Sequence, residues 1–213
     1  MSKKTERDDR RARIEEMRAQ QKKAERRRTL LIVGPAVTLV VVLIAVVGVL
    51  IYQEAQRQND IEEAAKAPIQ GVQSFDKLSR NHVETPVTYP QTPPVGGDHS
   101  PVWLNCGIYS TPVPNENAVH DLEHGAVWVT YQPTLPAAQL EKLKTLARAN
   151  NYMTLSPYEG LKTPVVATAW GKQLALPSAD DPRLEVFLRT YLQGPQTPEP
   201  GAACTGGTGT PES

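Results

Sequence analysis

An uncharged apolar run from Leu30 to Tyr52 constrains this chain more than any other feature of its sequence. As an α-helix, a run of this length extends about 35 Å, enough to cross a hydrocarbon layer of about 30 Å. A cleaved signal peptide would have an apolar core of only about 7–15 residues, followed by a small-residue cleavage site. This run is longer and leads into Gln53-Glu54-Ala55-Gln56-Arg57, so we expect an uncleaved transmembrane helix at 29–52.

Charge is distributed unequally on the two sides of this run. Residues 1–28 hold 12 Lys and Arg against 6 Asp and Glu, whereas the rest of the chain holds 11 against 17. Basic residues beside a membrane helix are retained in the cytoplasm. The sequence therefore predicts a single-pass cell-membrane protein with a cytoplasmic basic segment at 1–28 and an extracytoplasmic carboxyl-terminal part. The basic segment is short and mixed with acids, so we expect no nucleic-acid binding.

The part after the run is long enough for one small domain. Residues 53–70 are predicted to form a stalk or linker and 71–194 the extracytoplasmic domain. Residues 195–213 are rich in Pro, Gly and Thr and are predicted to be a disordered tail. Within the domain, prolines and glycines between 72 and 101 predict irregular structure.

The rest of the domain alternates between strand and helix patterns. Strands are predicted at 103–113, 126–131, 152–155, 164–170 and 173–176, and helices at 115–124, at 136–150 and after Asp180 or Asp181. Pro182 suits the first turn of that last helix. The pattern predicts an α+β fold, a single small domain with a mixed or antiparallel sheet and two main helices.

All four histidines of the chain, His82, His99, His120 and His124, lie within 43 residues of one another. His120 and His124 are four residues apart and share a face if this segment is helical. Imidazole is the commonest transition-metal ligand in proteins. We therefore predict that these four residues bind one metal ion, which the protein stores, delivers or uses in redox chemistry. Copper is favoured over zinc, because the sequence has no thiolate cluster and the site is expected outside the membrane.

Other side chains near the histidines have secondary roles in this prediction. The carboxylates of Asp98, Asp121 and Glu123 are candidate acceptors that would orient the imidazole rings. Met153 is a possible soft ligand for copper, although a core methionine is the simpler interpretation. A carboxylate that entered the ligand set itself would broaden the choice of metal.

Two other functions are left open by the sequence. The histidines can each satisfy a local hydrogen bond in a non-enzymatic envelope adaptor or accessory subunit that has a protein partner. Alternatively, the run from His120 to His124 fits H-x-x-E-H, in which two histidines bind zinc and the glutamate is a general base. Gly125 limits this helix to a short one, and the domain is small for such a peptidase. Whether the protein is an enzyme is not decided by these patterns.

The two cysteines, Cys106 and Cys204, would lie in a disulfide-permissive compartment. We expect a disulfide that pins the tail onto the domain, with free or intermolecular thiols as the alternatives.

Several segments of the domain together resemble the DUF3105 family. These are His82-Val83-Glu84, Tyr89-Pro90, Pro93-Pro94-Val95-Gly96-Gly97-Asp98-His99, Cys106-Gly107-Ile108-Tyr109, Val119-His120-Asp121-Leu122-Glu123-His124-Gly125-Ala126-Val127, Leu155-Ser156-Pro157-Tyr158 and Ala169-Trp170-Gly171. The resemblance extends over about residues 70–195. It implies one bacterial envelope domain, often behind a single amino-terminal membrane helix, and assigns no activity.

Overall fold

The computed structural model describes residues 3–212 and, within them, the side chains of 9–35 and 37–212. The chain divides into two compact units, the first ending at Gln58 and the second beginning at Asn59. The first unit is helical, whereas the second contains a six-stranded sheet with helices. The predicted α+β fold is therefore confirmed.

Helix α1 extends from Lys3 to Ala64 and includes the apolar run. No residue of its most apolar window is buried against other parts of the protein. Because an isolated helix that is apolar on all sides is unstable in water, the run is suited to a lipid environment. Among the described residues α1 is the one helix long and apolar enough to cross a membrane. This is consistent with a single-pass membrane protein, and its orientation stays a prediction from the charge asymmetry.

The domain combines three short helices with a mixed sheet. The helices are α2 (Asn115–Glu123), α3 (Ala137–Ala149) and α4 (Arg183–Tyr191), and the strands are β1 (Gln73–Ser74), β2 (Gly107–Ile108), β3 (Val127–Tyr131), β4 (Met153–Pro157), β5 (Val165–Ala169) and β6 (Lys172–Leu176). The strand order is β1-β6-β5-β3-β4-β2. Strands β2 and β3 both pair with β4 in parallel, and the other pairs are antiparallel. Helix α3 is the crossover that joins parallel strands β3 and β4, as such connections require.

The two faces of the sheet carry different residues because side chains alternate along a strand. One face is apolar and packs against α3 and α4, with Val129, Leu143 and Phe187 fully buried in this core. The opposite face carries Trp128 together with buried hydroxyl residues, and α2 packs against it. The sheet thus separates a large apolar core from a smaller, more polar layer that supports α2.

Two parts of the chain differ from the sequence prediction. The predicted strand at 103–113 is reduced to the two residues of β2. The tail, predicted to be disordered, follows a defined path along the domain and forms isolated bridges that pair Leu104 with Thr208 and Ile108 with Glu212. The expected disulfide between Cys106 and Cys204 is present. In the predicted strand, the backbone amides of Asn105 and Cys106 donate to carbonyls of the tail instead of to a neighbouring strand. The carbonyls of Trp103 and Ile108 likewise accept from amides of the tail.

Gly125 ends α2 with a backbone conformation that other residues rarely adopt, at φ +94°. A Cβ atom there would lie 3.0 Å from Cα of Gln193 and 2.9 Å from Oγ1 of Thr197. We expect Gly125→Ala to reduce the free energy of unfolding by about 2–4 kcal/mol, from backbone strain and from the contacts. The measurement is urea unfolding of the full chain in detergent micelles.

The control for this substitution is Gly160→Ala. Gly160 also has a positive φ, +76°, but a Cβ atom there would meet nothing within 4 Å. This variant should therefore show only the strain contribution, on the order of 1 kcal/mol. Equal losses in the two variants would mean that the close packing around Gly125 has no energetic role.

Candidate metal centre

Two of the four histidines are brought together by the proline-rich segment between β1 and β2. Residues His82 and His99 form an isolated parallel bridge. In this bridge the backbone amide of His99 donates to the carbonyl of Asn81 at 3.0 Å, and that of Val83 donates to the carbonyl of His99 at 2.7 Å. The side chain of Asp98 accepts from the side-chain amide of Asn81 at 2.9 Å. The irregular segment therefore holds two imidazoles side by side without a regular strand.

Helix α2 supplies the remaining polar side chains of the cluster. His120, Glu123 and His124 follow one another at spacings of three and one, so that all three point to one side of the helix end. All three are buried, with at most 4% of the residue exposed. Apolar residues of α2, including Val119 and Leu122, hold the helix against the Trp128 face of the sheet. The packing of α2 therefore determines where these polar groups lie.

Four ligand-type atoms converge in this region. The ring nitrogens of His82, His99 and His120 and a carboxylate oxygen of Glu123 all lie within 4.8 Å of one another. Nε2 of His99 is 2.9 Å from Oε2 of Glu123, and Nε2 of His82 is 3.7 Å from the same oxygen. His124 lies next to this group, with its Nε2 atom 3.0 Å from Nε2 of His120. A buried group of histidine and glutamate side chains that could hold a metal ion is thus present.

Three of the imidazoles have their other nitrogen fixed by a backbone carbonyl. The Nδ1–carbonyl pairs are His99 with Gly97 at 2.7 Å, His120 with Ser100 at 2.6 Å and His124 with Ala203 at 2.7 Å. A carbonyl oxygen only accepts hydrogen bonds, so each Nδ1 atom carries the proton. In the neutral rings Nε2 therefore carries a lone pair and no proton. The same arrangement orients histidines that bind metals in other proteins.

In these tautomers the Nε2 lone pairs face no hydrogen-bond donor in the described part of the chain. Nε2 of His99 and Oε2 of Glu123 are close to each other, yet neither makes a hydrogen bond within the described residues. The Nε2 atoms of His120 and His124 also face each other, and a neutral pair of rings in these tautomers has no proton to share between them. Buried polar atoms without a partner are costly. A cation placed among them would satisfy these lone pairs together.

Burial lowers the pKa of His120 to about 4. The hydrogen bond to the Ser100 carbonyl opposes this shift, and the positive charges that His124, His99 and His82 would carry add to it. His120 is therefore uncharged at neutral pH, and its Nε2 lone pair is available to a metal.

The cluster is enclosed on one side and open on the other. The ring of Trp103 lies 5.3 Å from that of His124 and 5.9 Å from that of His120, and the ring of Trp170 lies 5.9 Å from that of His99. Towards solvent, 45% of the His82 side chain is exposed. Arg80 is also exposed on this side, with its Nε atom 3.9 Å from Oε1 of Glu123. An ion or small ligand would therefore enter past His82 and Arg80.

The sequence pattern predicts a supporting role for Glu123, whereas its carboxylate lies among the ring nitrogens. The signal that identifies it is its position three residues after His120, which puts both side chains on one side of a helix. Backbone carbonyls orient three of the four rings, and two of the three predicted acceptors have other partners. Asp98 bonds to Asn81, and Asp121 accepts from the hydroxyl of Thr154 at 3.1 Å. Met153 is fully buried in the apolar core on the other face of the sheet.

Burial raises the pKa of Asp121 well above its ordinary value, against the opposing hydrogen bond from Thr154. The folded chain therefore keeps a proton on this group at pH values where the unfolded chain has released it. Its contribution to stability is lost as the pH rises above about 4. The Asp121→Asn variant needs no such proton. As the pH rises above about 4, we expect its free energy of unfolding to increase relative to that of the wild type by up to about 1.4 kcal/mol for each pH unit.

The measurement is urea unfolding of both proteins at pH 5 and pH 7.5 in the presence of a chelator. His120 titrates in both proteins, so its contribution cancels in the difference between them. A difference that is the same at both pH values would show that Asp121 is ionised in the folded protein.

Comparison with known proteins gives one match to the domain. The family model described as "Protein of unknown function (DUF3105)" matches residues 82–206. A second model, described as "Inhibitor of host cell division protein domain", matches residues 8–65, which lie almost wholly in α1. No curated protein and no solved structure matches the chain. The matched region 82–206 contains all four histidines, Glu123 and both cysteines.

Proposed function

The chain belongs to the DUF3105 family, and we propose that its domain binds one transition-metal ion, with His82, His99, His120 and Glu123 as ligands and His124 as a further ligand. The domain lies outside the cytoplasm in this proposal, and α1 anchors it in the cell membrane. The stalk at 53–70 and the domain at 71–194 keep the boundaries predicted above.

The main support for this proposal is the set of buried imidazole and carboxylate lone pairs that face each other. Three backbone carbonyls hold the protons of His99, His120 and His124 on Nδ1, so three Nε2 lone pairs are directed inwards. Two ligand atoms bound to one ion at about 2.0–2.1 Å are about 3 Å apart. The 2.9 Å and 3.0 Å separations in the cluster are of this size. Binding would draw His82 slightly inwards, which its exposed position permits.

The donor set limits the choice of metal without fixing it. An all-imidazole site suits copper or zinc, whereas a carboxylate ligand extends the choice to iron and manganese. Copper was favoured over zinc on the sequence alone, and the Glu123 oxygen weakens that preference. We therefore propose a site of mixed nitrogen and oxygen donors, and metal analysis decides the ion.

The openness of the site favours metal handling or redox chemistry. His82 is the one exposed ligand, so an exogenous molecule can reach the ion at that position. Peptide hydrolysis is less favoured, because it needs Glu123 free to act as a base on water. Here Glu123 Oε2 lies 2.9 Å from Nε2 of His99, which favours a role as ligand over a role as base. An adaptor with structural histidines would leave the inward lone pairs without a function.

The test is metal binding by the full chain, purified in detergent micelles without a histidine tag. We expect one equivalent of a single metal per chain by elemental analysis, and a rise in the unfolding temperature when the ion is returned after chelation. His99→Ala should abolish this, because His99 is fully buried in the cluster. Wild-type protein with no metal, and no stabilisation by copper, zinc, iron or manganese, would reject the proposal and favour the adaptor.

A further inference from the structure

We propose that the Cys106–Cys204 disulfide is a thiol-exchange site that controls the affinity of the metal centre. A dithiol reduces the disulfide, the tail loosens, and His124 loses its support. This inference rests on the proposed function, because it takes the cluster to be a metal site.

The tail contacts the cluster through three interactions, all with His124 or Glu123. The carbonyl of Ala203, the residue before Cys204, accepts the hydrogen bond from Nδ1 of His124 at 2.7 Å. The backbone amide of Glu199 donates to the carbonyl of Glu123 at 3.0 Å. The carboxylate of Glu199 also lies 3.8 Å from Nε2 of His124. A single segment of chain therefore orients one candidate ligand and contacts the backbone of another.

The tail also holds the indole that covers two of the rings. Nε1 of Trp103 donates to the carbonyl of Thr205 at 3.2 Å, and the amide of Thr208 donates to the carbonyl of Trp103 at 2.9 Å. Gly207 lies so close to Trp103 that a Cβ atom would contact its ring. Release of the tail would therefore uncover His120 and His124 as well as remove the Ala203 carbonyl.

The disulfide is the covalent attachment of this segment to the domain. It joins residues 98 positions apart in the sequence. The remaining attachments are hydrogen bonds, such as that from the amide of Cys106 to the carbonyl of Cys204 at 2.8 Å, ion pairs such as Lys144 with Glu212 at 3.3 Å, and the packing of Gly207 against Trp103. Each such bond contributes modestly in a segment that has few apolar side chains. Loss of the covalent bond therefore leaves the tail free to open while the sheet and its apolar core stay folded.

Both cysteines are largely buried, but the disulfide borders a cavity through which a reagent would approach it. Both cysteines form part of the wall of a cavity of about 440 Å³ that is open to solvent. The other lining residues include Asn150, Asn151, Tyr152 and Thr205. The cavity is large enough for a small thiol or the tip of a peptide loop.

The disulfide is exchanged in two steps. A thiolate of the dithiol attacks one sulfur of the disulfide, which gives a mixed disulfide and a thiolate on the other cysteine. The second thiol of the reagent attacks the mixed disulfide and releases the remaining cysteine. Two electrons and two protons pass from the reagent to the chain, so the reagent becomes a disulfide and Cys106 and Cys204 become thiols. A dithiol is thus the class of substrate for this site.

The first test measures zinc affinity of the full chain in micelles by competition with a chromophoric chelator. Three proteins are compared: the oxidised wild type, the wild type reduced by dithiothreitol, alkylated and freed of reagent, and Cys106→Ser/Cys204→Ser. We expect the second and third to bind zinc about 10–100-fold more weakly, the usual effect of losing a group that orients a ligand. Asn151→Ala, in the same cavity but away from the cluster, should match the oxidised wild type.

A second measurement does not depend on metal. In the chelated protein, the Nδ1 proton of His124 should exchange slowly with solvent while the disulfide is intact and rapidly after reduction, as followed by nitrogen-15 NMR. Circular dichroism should show unchanged helix and strand content. Removing dithiothreitol and reoxidising the protein, in a sample that is not alkylated, should restore slow exchange.

The outcomes separate this inference from the proposed function. Equal zinc affinity in oxidised and reduced protein rejects the inference alone. An oxidised protein that binds no metal rejects the proposed function, and the His124 exchange rate then shows whether the tail supports that ring. A disulfide that dithiothreitol reduces only when the domain unfolds also rejects the inference.

Discussion

His120→Ala/His124→Ala is expected to abolish stoichiometric metal binding. The two rings meet at their Nε2 atoms, 3.0 Å apart, and both are buried on one side of α2. Loss of a group that merely orients a ligand weakens metal binding about 10–100-fold. Loss of two ligands should therefore weaken it by on the order of 10³-fold or more. The measurement is metal content by elemental analysis together with titration of the chelated protein.

Two comparisons make this result specific. His82→Ala should weaken binding less than the double substitution, because the His82 side chain is partly exposed and water can replace it. Glu141→Ala/Thr145→Ala changes two exposed residues at the same spacing on α3 and should leave metal content unchanged. Metal retained in full by His120→Ala/His124→Ala would exclude this pair from the site and leave His82, His99 and Glu123 as the ligands.

The elements that sequence analysis predicted best have strong periodicity and clear end signals. Helix α3 begins directly after Pro136 and ends one residue before Asn150, and its apolar stripe faces the core as expected. The strand predicted at 126–131 is β3 within one residue, and its continuous apolarity corresponds to burial on both faces. In both cases local preference and tertiary packing favour the same structure.

Composition was a poor guide to the tail because backbone contacts that composition does not reveal hold the tail, in addition to the disulfide expected from the two cysteines. The tail contains few apolar residues, and a segment that buries little apolar surface is expected to be disordered. Its order comes from backbone hydrogen bonds, such as that from Asn105 to the carbonyl of Thr208, and from the disulfide to Cys106. Both depend on residues about 100 positions away in the sequence. The same contacts shorten β2, whose backbone bonds to the tail.

In the site, too, features set by neighbouring residues could be predicted from the sequence, whereas contacts between distant residues could not. The spacing of His120, Glu123 and His124 is local, and it predicts a shared helix face. The bridge between His82 and His99 forms across a proline-rich segment, where no periodicity applies. The support that the tail gives to His124 through Ala203 is also absent from any local pattern. Residue types therefore identified the histidines, whereas only the fold identified what holds them.

Trp128→Ala is expected to affect both stability and the metal centre. Trp128 is fully buried on the face of the sheet that supports α2, and its Nε1 donates to the hydroxyl of Ser156 at 2.9 Å. Removal of a buried aromatic side chain typically costs about 3–5 kcal/mol. Because Val119 and Leu122 of α2 pack in the same cluster, the cavity also lets the helix shift. We expect a large fall in the free energy of unfolding and weaker metal binding by the fraction that stays folded.

The matched control for this substitution is Phe187→Ala. Phe187 is also fully buried, but it lies on α4, in the apolar core on the opposite face of the sheet. It should lose a similar free energy of unfolding, about 3–5 kcal/mol, yet the folded protein should keep the metal affinity of the wild type. Trp128→Leu and Phe187→Leu give the same contrast at smaller cost if the alanine variants do not fold. A lower metal affinity in Trp128→Ala than in Phe187→Ala would show that the layer beneath α2 positions the ligands. An equal fall in affinity in the two variants would show that metal binding depends only on the stability of the whole domain.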